Sequence, residues 1–218
     1  MKPQGRTTDA ANLAGISCNL AGMNITEIKQ DVKSWQRLLR AAGYYSGAID
    51  GIRGPKQRAA ETAWESASLG IAQMYGTFDS RSEENILTLL PSAQKVARVW
   101  LRDVQEMAAG LGVSVKIICG TRSYAEQDRL YRQRPKVTNA KGGYSWHNFG
   151  LAWDFGVFSV DGRSYYGEHE HYKTFGRVAS AIEGAEWGGE WASFKDEPHI
   201  QLALYKSVSD ARKNFERR

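Results

Sequence analysis

Apolar side chains in the first half of the chain recur at helical spacing. The stretch ITEIKQDVKSWQRLLRAAG places them three or four residues apart, at Ile28, Val32, Trp35, Leu38 and Leu39. This period is typical of a helix that buries one face. Thr26 can cap the start of the helix by accepting a hydrogen bond from a free backbone amide, and Gly43 can end it in the left-handed conformation.

Two more helices are predicted before residue 91. Gly54-Pro55 opens the second, because proline is well suited to the first turn of a helix. The stretch SRSEENILTLLP fits a third helix, which Ser80 or Ser82 starts and which stops before Pro91. Three short helices in succession indicate a small independent bundle.

The second half of the chain mixes helix and strand patterns. Three β-rich runs are VSVKIICG, FGLAWDFGVF and PHIQLAL, and three helical patterns are SAQKVARVWLRDVQEMAAGLG, SYAEQDRLYRQ and HEHYKTFGRVASAIEG. Because these do not alternate as regular βαβ units, they predict an α+β domain around a small, mainly antiparallel sheet. We therefore divide the chain into an N-terminal arm (residues 1–27, with a short helix around Ala10 to Leu20), a helical domain (28–90) and an α+β domain (91–218).

The composition and the first residues of the chain predict where the protein is made and whether it inserts into a membrane. Hydrophobic residues make up 42% of the chain and charged residues 24%, as in an ordinary globular protein. No apolar run reaches the roughly 20 residues that span a bilayer, and the first residues lack a signal-peptide pattern. We expect synthesis in the cytoplasm and no stable membrane insertion. Cys18 and Cys119 have no metal-type spacing and are expected to be free thiols, with a disulfide as the alternative.

The charge of the chain favours a polyanionic partner. The formal net charge is +5, which suits nucleic acid, anionic lipid or an anionic cell wall. The one concentrated basic run is the short tail ARKNFERR, so we expect no nucleic-acid partner. We also expect the protein to be a monomer.

Candidate chemistry is concentrated in SWHNFGLAWDF and FKDEPHIQL. His147 lies in a glycine-bearing loop before the strand that carries Asp154, and His199 begins the last strand. Two imidazoles and one carboxylate on neighbouring strands make a three-ligand zinc site, whose fourth position stays open as in catalytic zinc sites. Each residue alone is at least as well explained by structural hydrogen bonding, and their joint spacing favours the metal.

Two further residues suit roles beside such a metal. Asp196 lies three residues before His199, where a carboxylate can take a proton from water and return it to a leaving amine. Arg122 follows the strand VSVKIICG and can hold a substrate carboxylate or stabilise an oxyanion. His169 and His171 open a predicted helix beside acidic residues, and we interpret them as solvated.

The helical half resembles a known cell-wall module. The stretch VKSWQRLLRAAGYYSGAIDGIRGPKQRAA has the order V-x-x-x-Q-x-x-L, G-Y, D-G and G-P, and is similar to the three-helix peptidoglycan-binding module of many cell-wall hydrolases. It departs at Arg53, where an aromatic residue is usual, and at Gln57, where threonine is usual. The resemblance covers Ile28 to Leu90 and implies binding of peptidoglycan. The alternative is a plain helical bundle that binds nothing.

The second half has a more specific resemblance. The pattern S-x-H-x-x-G-x-A-x-D is met without a gap by Ser145, His147, Gly150, Ala152 and Asp154. It is the signature of zinc peptidases that cut bacterial cell-wall peptides, with a hedgehog or DD-peptidase-like fold. The family's second motif is a carboxylate three residues before a histidine, which Asp196 and His199 supply. The stretch EWGGEWASFKDEPHIQL is especially similar to the L-alanyl-D-glutamate endopeptidase branch.

This resemblance implies a role for each matching residue. The implied ligands of one zinc ion are His147, Asp154 and His199. Asp196 is implied as catalytic base and Arg122 as electrostatic helper. Gln127 matches a substrate-facing position, and Ser145 supports the site through hydrogen bonds. The remaining candidates for substrate contact, which either wall the cleft or belong to the core, are Trp187 and Trp191.

The two resemblances together describe a phage-type endolysin. The helical domain would hold the enzyme on peptidoglycan while the zinc domain hydrolyses the L-alanyl-D-glutamate bond of stem peptides, leading to lysis. Such an enzyme would stay in the host cytoplasm until a holin opens the membrane, and would then reach the wall. The alternatives are a D-alanyl-D-alanine carboxypeptidase and a non-catalytic, zinc-containing wall-binding protein.

Overall fold

The computed structural model describes residues 23–217. Its helices are α1 (Ile25–Gln30), α2 (Val32–Ala41), α3 (Pro55–Tyr75), α4 (Ser80–Ile86), α5 (Pro91–Gly110), α6 (Tyr124–Arg132), α7 (His171–Ser180) and α8 (Val208–Glu216). Its strands are β1 (Val113–Cys119), β2 (Ala152–Ser159), β3 (Tyr165–Tyr166), β4 (Ala185–Trp187) and β5 (His199–Leu202). Within this range, no helix combines the length and apolarity needed to cross a bilayer. The expected helix around Ala10 to Leu20, and Cys18, lie outside the described residues.

The five strands form one antiparallel sheet, which confirms the predicted α+β class. The order is β1-β2-β5-β4, and β3 pairs with β2 beyond the end of β5. β2 is buried along nearly its whole length. The register places Asp154 opposite Cys119 of β1 and opposite His199 of β5. The sheet therefore brings residues from three distant parts of the chain to one place.

The first predicted helix is in fact two helices. Asn24 caps α1 instead of Thr26, and its side-chain oxygen accepts a hydrogen bond from a backbone amide at 3.0 Å. Asp31 separates the helices and caps α2 in the same way at 3.1 Å. Gly43, with φ +82°, follows the end of α2 as predicted. The break was missed because the apolar period continues across it.

The next two helices begin close to their predicted starts. Pro55 is the first residue of α3, as predicted. α4 begins at Ser80, but its cap is Asp79, whose carboxylate accepts hydrogen bonds from the amide and hydroxyl of Ser82 at 3.2 and 2.6 Å. The cap thus lies just before the two serines from which the sequence predicted the start.

The helices before residue 91 share their core with the sheet. A continuous cluster of buried apolar side chains includes residues from Ile28 to Phe215. α4 lies against β1, where the hydroxyl of Ser82 accepts a hydrogen bond from the Ile117 amide at 3.1 Å. The apolar side chains of residues 28–90 therefore join the core of the sheet, because α4 covers the sheet. The predicted division into domains stays a prediction.

An ion pair joins α4 to α5 across the predicted domain boundary. Arg98 is fully buried, and its two terminal nitrogens each lie 2.7 Å from a carboxylate oxygen of Glu83. We expect Glu83→Ala to lower the free energy of unfolding by about 3–5 kcal/mol, because it leaves the buried charge of Arg98 without its carboxylate partner. Glu84→Ala, at an exposed position of the same helix, is the matched control. Equal losses for the two variants in chemical denaturation would contradict this prediction.

The D-G turn of the peptidoglycan-binding-like motif has a structural cause. Gln36 is fully buried, and both the nitrogen and the oxygen of its side-chain amide bind the turn. Its Nε2 donates to Asp50 Oδ1 at 2.9 Å, and its Oε1 accepts from the Gly51 amide at 3.0 Å. Gly51 has a φ of +81°, which favours glycine. The motif therefore specifies how the α2–α3 connection is held.

Three elements were missed from the sequence. β3 and β4 contain two and three residues, too few to show an alternating pattern. α8 occupies the tail that was interpreted only as a basic run, and it buries Ala211 and Phe215 against the core. The helix was not predicted because most of its residues are charged or polar and only two of them are buried.

Candidate metal centre

The three side chains predicted as metal ligands meet beside β2. His147 Nε2 lies 3.2 Å from Asp154 Oδ1 and 3.2 Å from His199 Nδ1. The last two atoms are 3.1 Å apart. All three side chains are buried. The sheet register aligns the aspartate with His199, and a 3-10 turn over Trp146–Phe149 brings His147 to them.

Gly150 ends that turn and explains the glycine of the motif. Its φ is +69°, and a Cβ there would lie 3.0 Å from the backbone nitrogen of Leu90. The same Leu90 amide donates to the Gly150 carbonyl at 2.9 Å. The segment before α5 therefore holds the loop that carries His147.

The distances between the three atoms fit a small divalent cation. A tetrahedral zinc ion with nitrogen and oxygen ligands at about 2.0–2.2 Å sets neighbouring ligand atoms about 3.3–3.6 Å apart. The observed separations of 3.1–3.2 Å are within a few tenths of an ångström of that range. Two imidazoles and a carboxylate are also a donor set that zinc accepts.

Outer hydrogen bonds orient both imidazoles toward the centre. His147 Nδ1 donates to the carbonyl of Gly120 at 2.7 Å, so the proton is on Nδ1 and Nε2 is left as an acceptor. His199 Nε2 donates to Gln201 Oε1 at 3.1 Å, and Gln201 Nε2 donates to Glu186 Oε2 at 2.7 Å. In the neutral form of each ring with these tautomers, the inward nitrogen faces Asp154 with its lone pair, as a metal ligand requires.

The electrostatics of the centre favour the protonation states of metal ligands at His147 and Asp154 but not at His199. Burial, followed by the charge of Arg122, lowers the pKa of His147 to about 4. Burial raises the pKa of Asp154, but the charges of His147 and Arg122 outweigh it and hold that pKa well below its usual range. Burial lowers the pKa of His199, yet its hydrogen bond to Asp154 and the carboxylate's charge raise it overall. A proton on His199 therefore competes with a metal.

Arg122 binds the ligand carboxylate directly. One terminal nitrogen lies 2.5 Å from Asp154 Oδ2, and its Nε lies 3.1 Å from the sulfur of Cys119. Its backbone amide also donates to the carbonyl of His147 at 3.0 Å. Arg122 thus orients the carboxylate so that the other oxygen faces the imidazoles. The oxyanion contact expected from the sequence stays a prediction.

Gln127 and Ser145 contact residues that support the three candidate ligands. Gln127 is fully buried, and its amide donates to the carbonyl of Ala140 at 2.9 Å and accepts from Arg122 at 3.4 Å. Its predicted contact with substrate stays a prediction, since in this structure it supports the arginine. The Ser145 amide donates to Asn148 Oδ1 at 3.3 Å, within the loop that carries the first histidine ligand.

Asp196 is held beside His199 by a short turn. Its amide donates to the carbonyl of Gly188 at 3.0 Å, and its carbonyl accepts from the His199 amide at 3.2 Å. Burial and then the negative charge of Asp154 raise the pKa of the Asp196 carboxyl. A carboxylate with a raised pKa binds a proton more readily, which suits proton transfer at the centre.

The two candidate tryptophans have different surroundings. Trp187 is 4% exposed, its Nε1 donates to the Glu197 carbonyl at 2.8 Å, and its ring fills the space where a side chain at Gly176 would lie. Trp187 is thus packed in the core and also lines a cavity together with Trp191, and its contact with substrate stays a prediction. The ring of Trp191 lies 5.2 Å from that of His199, so this tryptophan borders the centre.

Three residues that complete the centre were not found from the sequence. The sulfur of Cys119 belongs to a group with His147 and Asp154 whose ligand atoms lie within 4.8 Å of one another. The His199 nitrogen lies 3.1–3.2 Å from the ligand atoms of both, and histidine as the third ligand stays the prediction. Gln201 could have been found, because it lies two residues after His199 and shares its strand face. No local sequence pattern predicts that Cys119, or Glu186 as the third of these residues, lies near the candidate ligands.

Removing the support of His199 is expected to weaken metal binding. Glu186→Ala should lower zinc affinity by up to the roughly 10–100-fold that loss of an outer hydrogen bond to a ligand costs. Glu186→Gln keeps an acceptor for the Gln201 amide and should retain most of the affinity. A competition titration against a chromophoric chelator measures both variants. Equal affinity in the alanine variant and the unchanged protein would show that this chain of hydrogen bonds is not needed.

Comparison with known proteins is consistent with this geometry. Residues 138–202 match a family model described as D-alanyl-D-alanine carboxypeptidase. The chain is also 42% identical over 107 residues to the peptidoglycan L-alanyl-D-glutamate endopeptidase CwlK of Bacillus subtilis (strain 168). That match covers 44% of this chain and 64% of CwlK, slightly less than two thirds of the relative's length. The segment that carries the candidate ligands therefore matches the family model, and part of the chain is similar in sequence to the endopeptidase.

Proposed function

We propose that the protein is a zinc-dependent peptidase that hydrolyses the L-alanyl-D-glutamate bond in peptidoglycan stem peptides. The observation that carries the proposal is the cluster of His147 Nε2, Asp154 Oδ1 and His199 Nδ1, with the acceptor atoms turned toward one another. The identity of 42% to an L-alanyl-D-glutamate endopeptidase supports the choice of bond.

The residues around the centre suit amide hydrolysis. When bound, zinc supplies a Lewis acid that polarises the scissile carbonyl. Asp196, whose pKa burial raises, takes a proton from the attacking water and returns it to the departing nitrogen. Arg122 keeps Asp154 ionised and oriented through their ion pair. Trp191 borders the site next to His199.

Digestion of purified cell walls tests the choice of bond. Mass spectrometry of the soluble fragments should show new free amino groups on D-glutamate, and their release should stop after treatment with a chelator and resume with added zinc. Absence of any new amino terminus with zinc bound would favour a non-catalytic wall-binding protein. Resumption only with another divalent cation would contradict zinc.

D-alanyl-D-alanine carboxypeptidase activity is the second candidate. The description of the family model that matches residues 138–202 favours it. The same digestion separates the two, because a carboxypeptidase releases free D-alanine and leaves the amino group of D-glutamate blocked.

We further propose that residues 28–90 hold the protein on peptidoglycan. Support comes from the ordered motif around Gln36 and from the neighbouring Ile52, which is 69% exposed in the turn that the motif forms. Deletion of this region would open the shared core, so a point substitution is the better test. Ile52→Asp should weaken sedimentation with insoluble walls and leave hydrolysis of a soluble stem peptide unchanged. Val160→Asp, at a residue that is 70% exposed elsewhere, is the control.

The biological role we propose is that of a phage endolysin, released to the wall when a holin opens the membrane. The positive charge of +5 and the pairing of a wall-binding-like region with a peptidase-like region support this. Expression in a bacterial host with and without a holin tests it. Lysis should require the holin, and lysis without it would contradict the proposed route.

A further inference from the structure

A cavity lies between α2 and the end of α8, away from the proposed ligands. It has a volume of about 260 Å³. Its lining residues are Arg37, Arg40, Ala41, Asn214 and Arg217. We refer to this cavity as the arginine pocket. It contains three guanidinium groups and no aromatic or acidic side chain among its lining residues.

The guanidinium groups of the arginine pocket lack carboxylate partners in the part of the chain that the structure describes. The side chain of Arg37 makes no hydrogen bond or ion pair there, and its Nε is buried without an acceptor. Arg40 donates to the backbone carbonyl of Arg217. The neighbouring acid, Glu216, is already bound by Arg212 at 3.0 Å and by the hydroxyl of Tyr124 at 3.1 Å.

This pattern differs from that of the two buried arginines of the described residues, Arg98 and Arg122. Arg98 is paired with Glu83, and Arg122 is paired with Asp154. Three like charges around one cavity repel each other unless an anion lies among them. The arginine pocket therefore has the charge and the donors of an anion site, and the protein supplies no anion from its described residues.

The chemistry of the lining favours a phosphoryl group. A guanidinium presents its donors in a planar fork that matches phosphate oxygens, and a phosphoryl group offers more acceptor oxygens to three arginines than a single carboxylate does. Nucleic acid is less suited, because proteins that bind single strands combine an extended basic groove with stacking aromatic side chains.

We infer that the arginine pocket binds a phosphoryl group of an anionic, phosphodiester-containing cell-wall polymer. This choice of source rests on the proposed action at the wall, whereas the anion site rests on the pocket alone. α8 also packs beside the loop of the centre, with the ring of Phe215 at 5.2 Å from that of Phe149. Polymer bound here would hold the peptidase-like half close to its substrate.

A charge-matched pair of variants tests the inference. The pocket variant carries Arg37→Gln, Arg40→Gln and Arg217→Gln. The control carries the same change in charge on α3 and α5, as Lys56→Gln, Arg58→Gln and Arg102→Gln. Calorimetric titration of the full chain with a glycerol phosphate oligomer should show a loss of affinity of about tenfold or more in the pocket variant only. Inorganic phosphate should compete with the oligomer.

Other results would overturn the inference. Equal loss in both variants would mean general attraction by net charge, and failure of phosphate to compete would exclude recognition of the phosphoryl group. Tighter, pocket-dependent binding of duplex DNA would overturn the assignment to a wall polymer. Melting curves check that both variants are folded. Hydrolysis of a soluble stem peptide should be unchanged in both, so failure of the proposed peptidase activity is detected separately.

Discussion

His147→Ala is expected to abolish metal binding and peptide hydrolysis together. The change removes one of three inward donors, and the remaining His199 and Asp154 cannot hold a catalytic ion in the usual three-ligand form. Zinc affinity should fall by more than the roughly 10–100-fold that loss of an outer hydrogen bond costs. Metal content after dialysis and hydrolysis of a stem peptide measure the two effects. Hydrolysis should fall to the level of the chelator-treated protein.

The matched control is His171→Ala, which removes a histidine at the start of α7. It should retain both zinc and activity. Retention of one zinc per chain by His147→Ala would contradict the assigned ligand set. Loss of that residual zinc on adding Cys119→Ala would then identify the thiol as the ligand, since its sulfur lies near the same atoms.

Asp196→Ala is expected to separate metal binding from catalysis. Its carboxylate has a raised pKa beside His199 and is not one of the three clustered donors. Zinc content should therefore be unchanged, while kcat should fall by about 10²–10⁴-fold, the usual contribution of a general base. Asp196→Asn, which keeps the shape and removes the base, should be equally slow.

Glu197→Ala is the control for that prediction, because it removes the adjacent carboxylate, whose partner is Lys173 at 3.6 Å. It should keep nearly full activity. Full wall-lytic activity in Asp196→Ala would contradict the assigned base. Loss of zinc from the same variant would mean that Asp196 acts on the metal ligands instead of on the substrate.

Local patterns were enough to predict three candidate ligands that the fold brings together, and to predict most of the long elements. His147 and Asp154 lie within one short motif, and Gly150 is required there by its positive φ and by the nearby Leu90 backbone. Helices with an apolar stripe, such as α5, were predicted because their period is visible in any window of the chain. Strands of two or three residues were missed because so few positions show no alternating pattern. The break between α1 and α2 at Asp31 was missed because the apolar period continues across it.

The sequence by itself determined the class of the fold, the three donors and the neighbouring carboxylate, since these depend on residue type and short spacing. Only the tertiary structure decided which distant groups surround them. Cys119 and Glu186 reach the centre through strand pairing, and Arg122 reaches Asp154 across the end of β1. The tertiary structure also joined the helical half to the sheet in one core. Such contacts depend on packing between segments far apart in the chain, and spacing along the chain does not encode that packing in any local pattern.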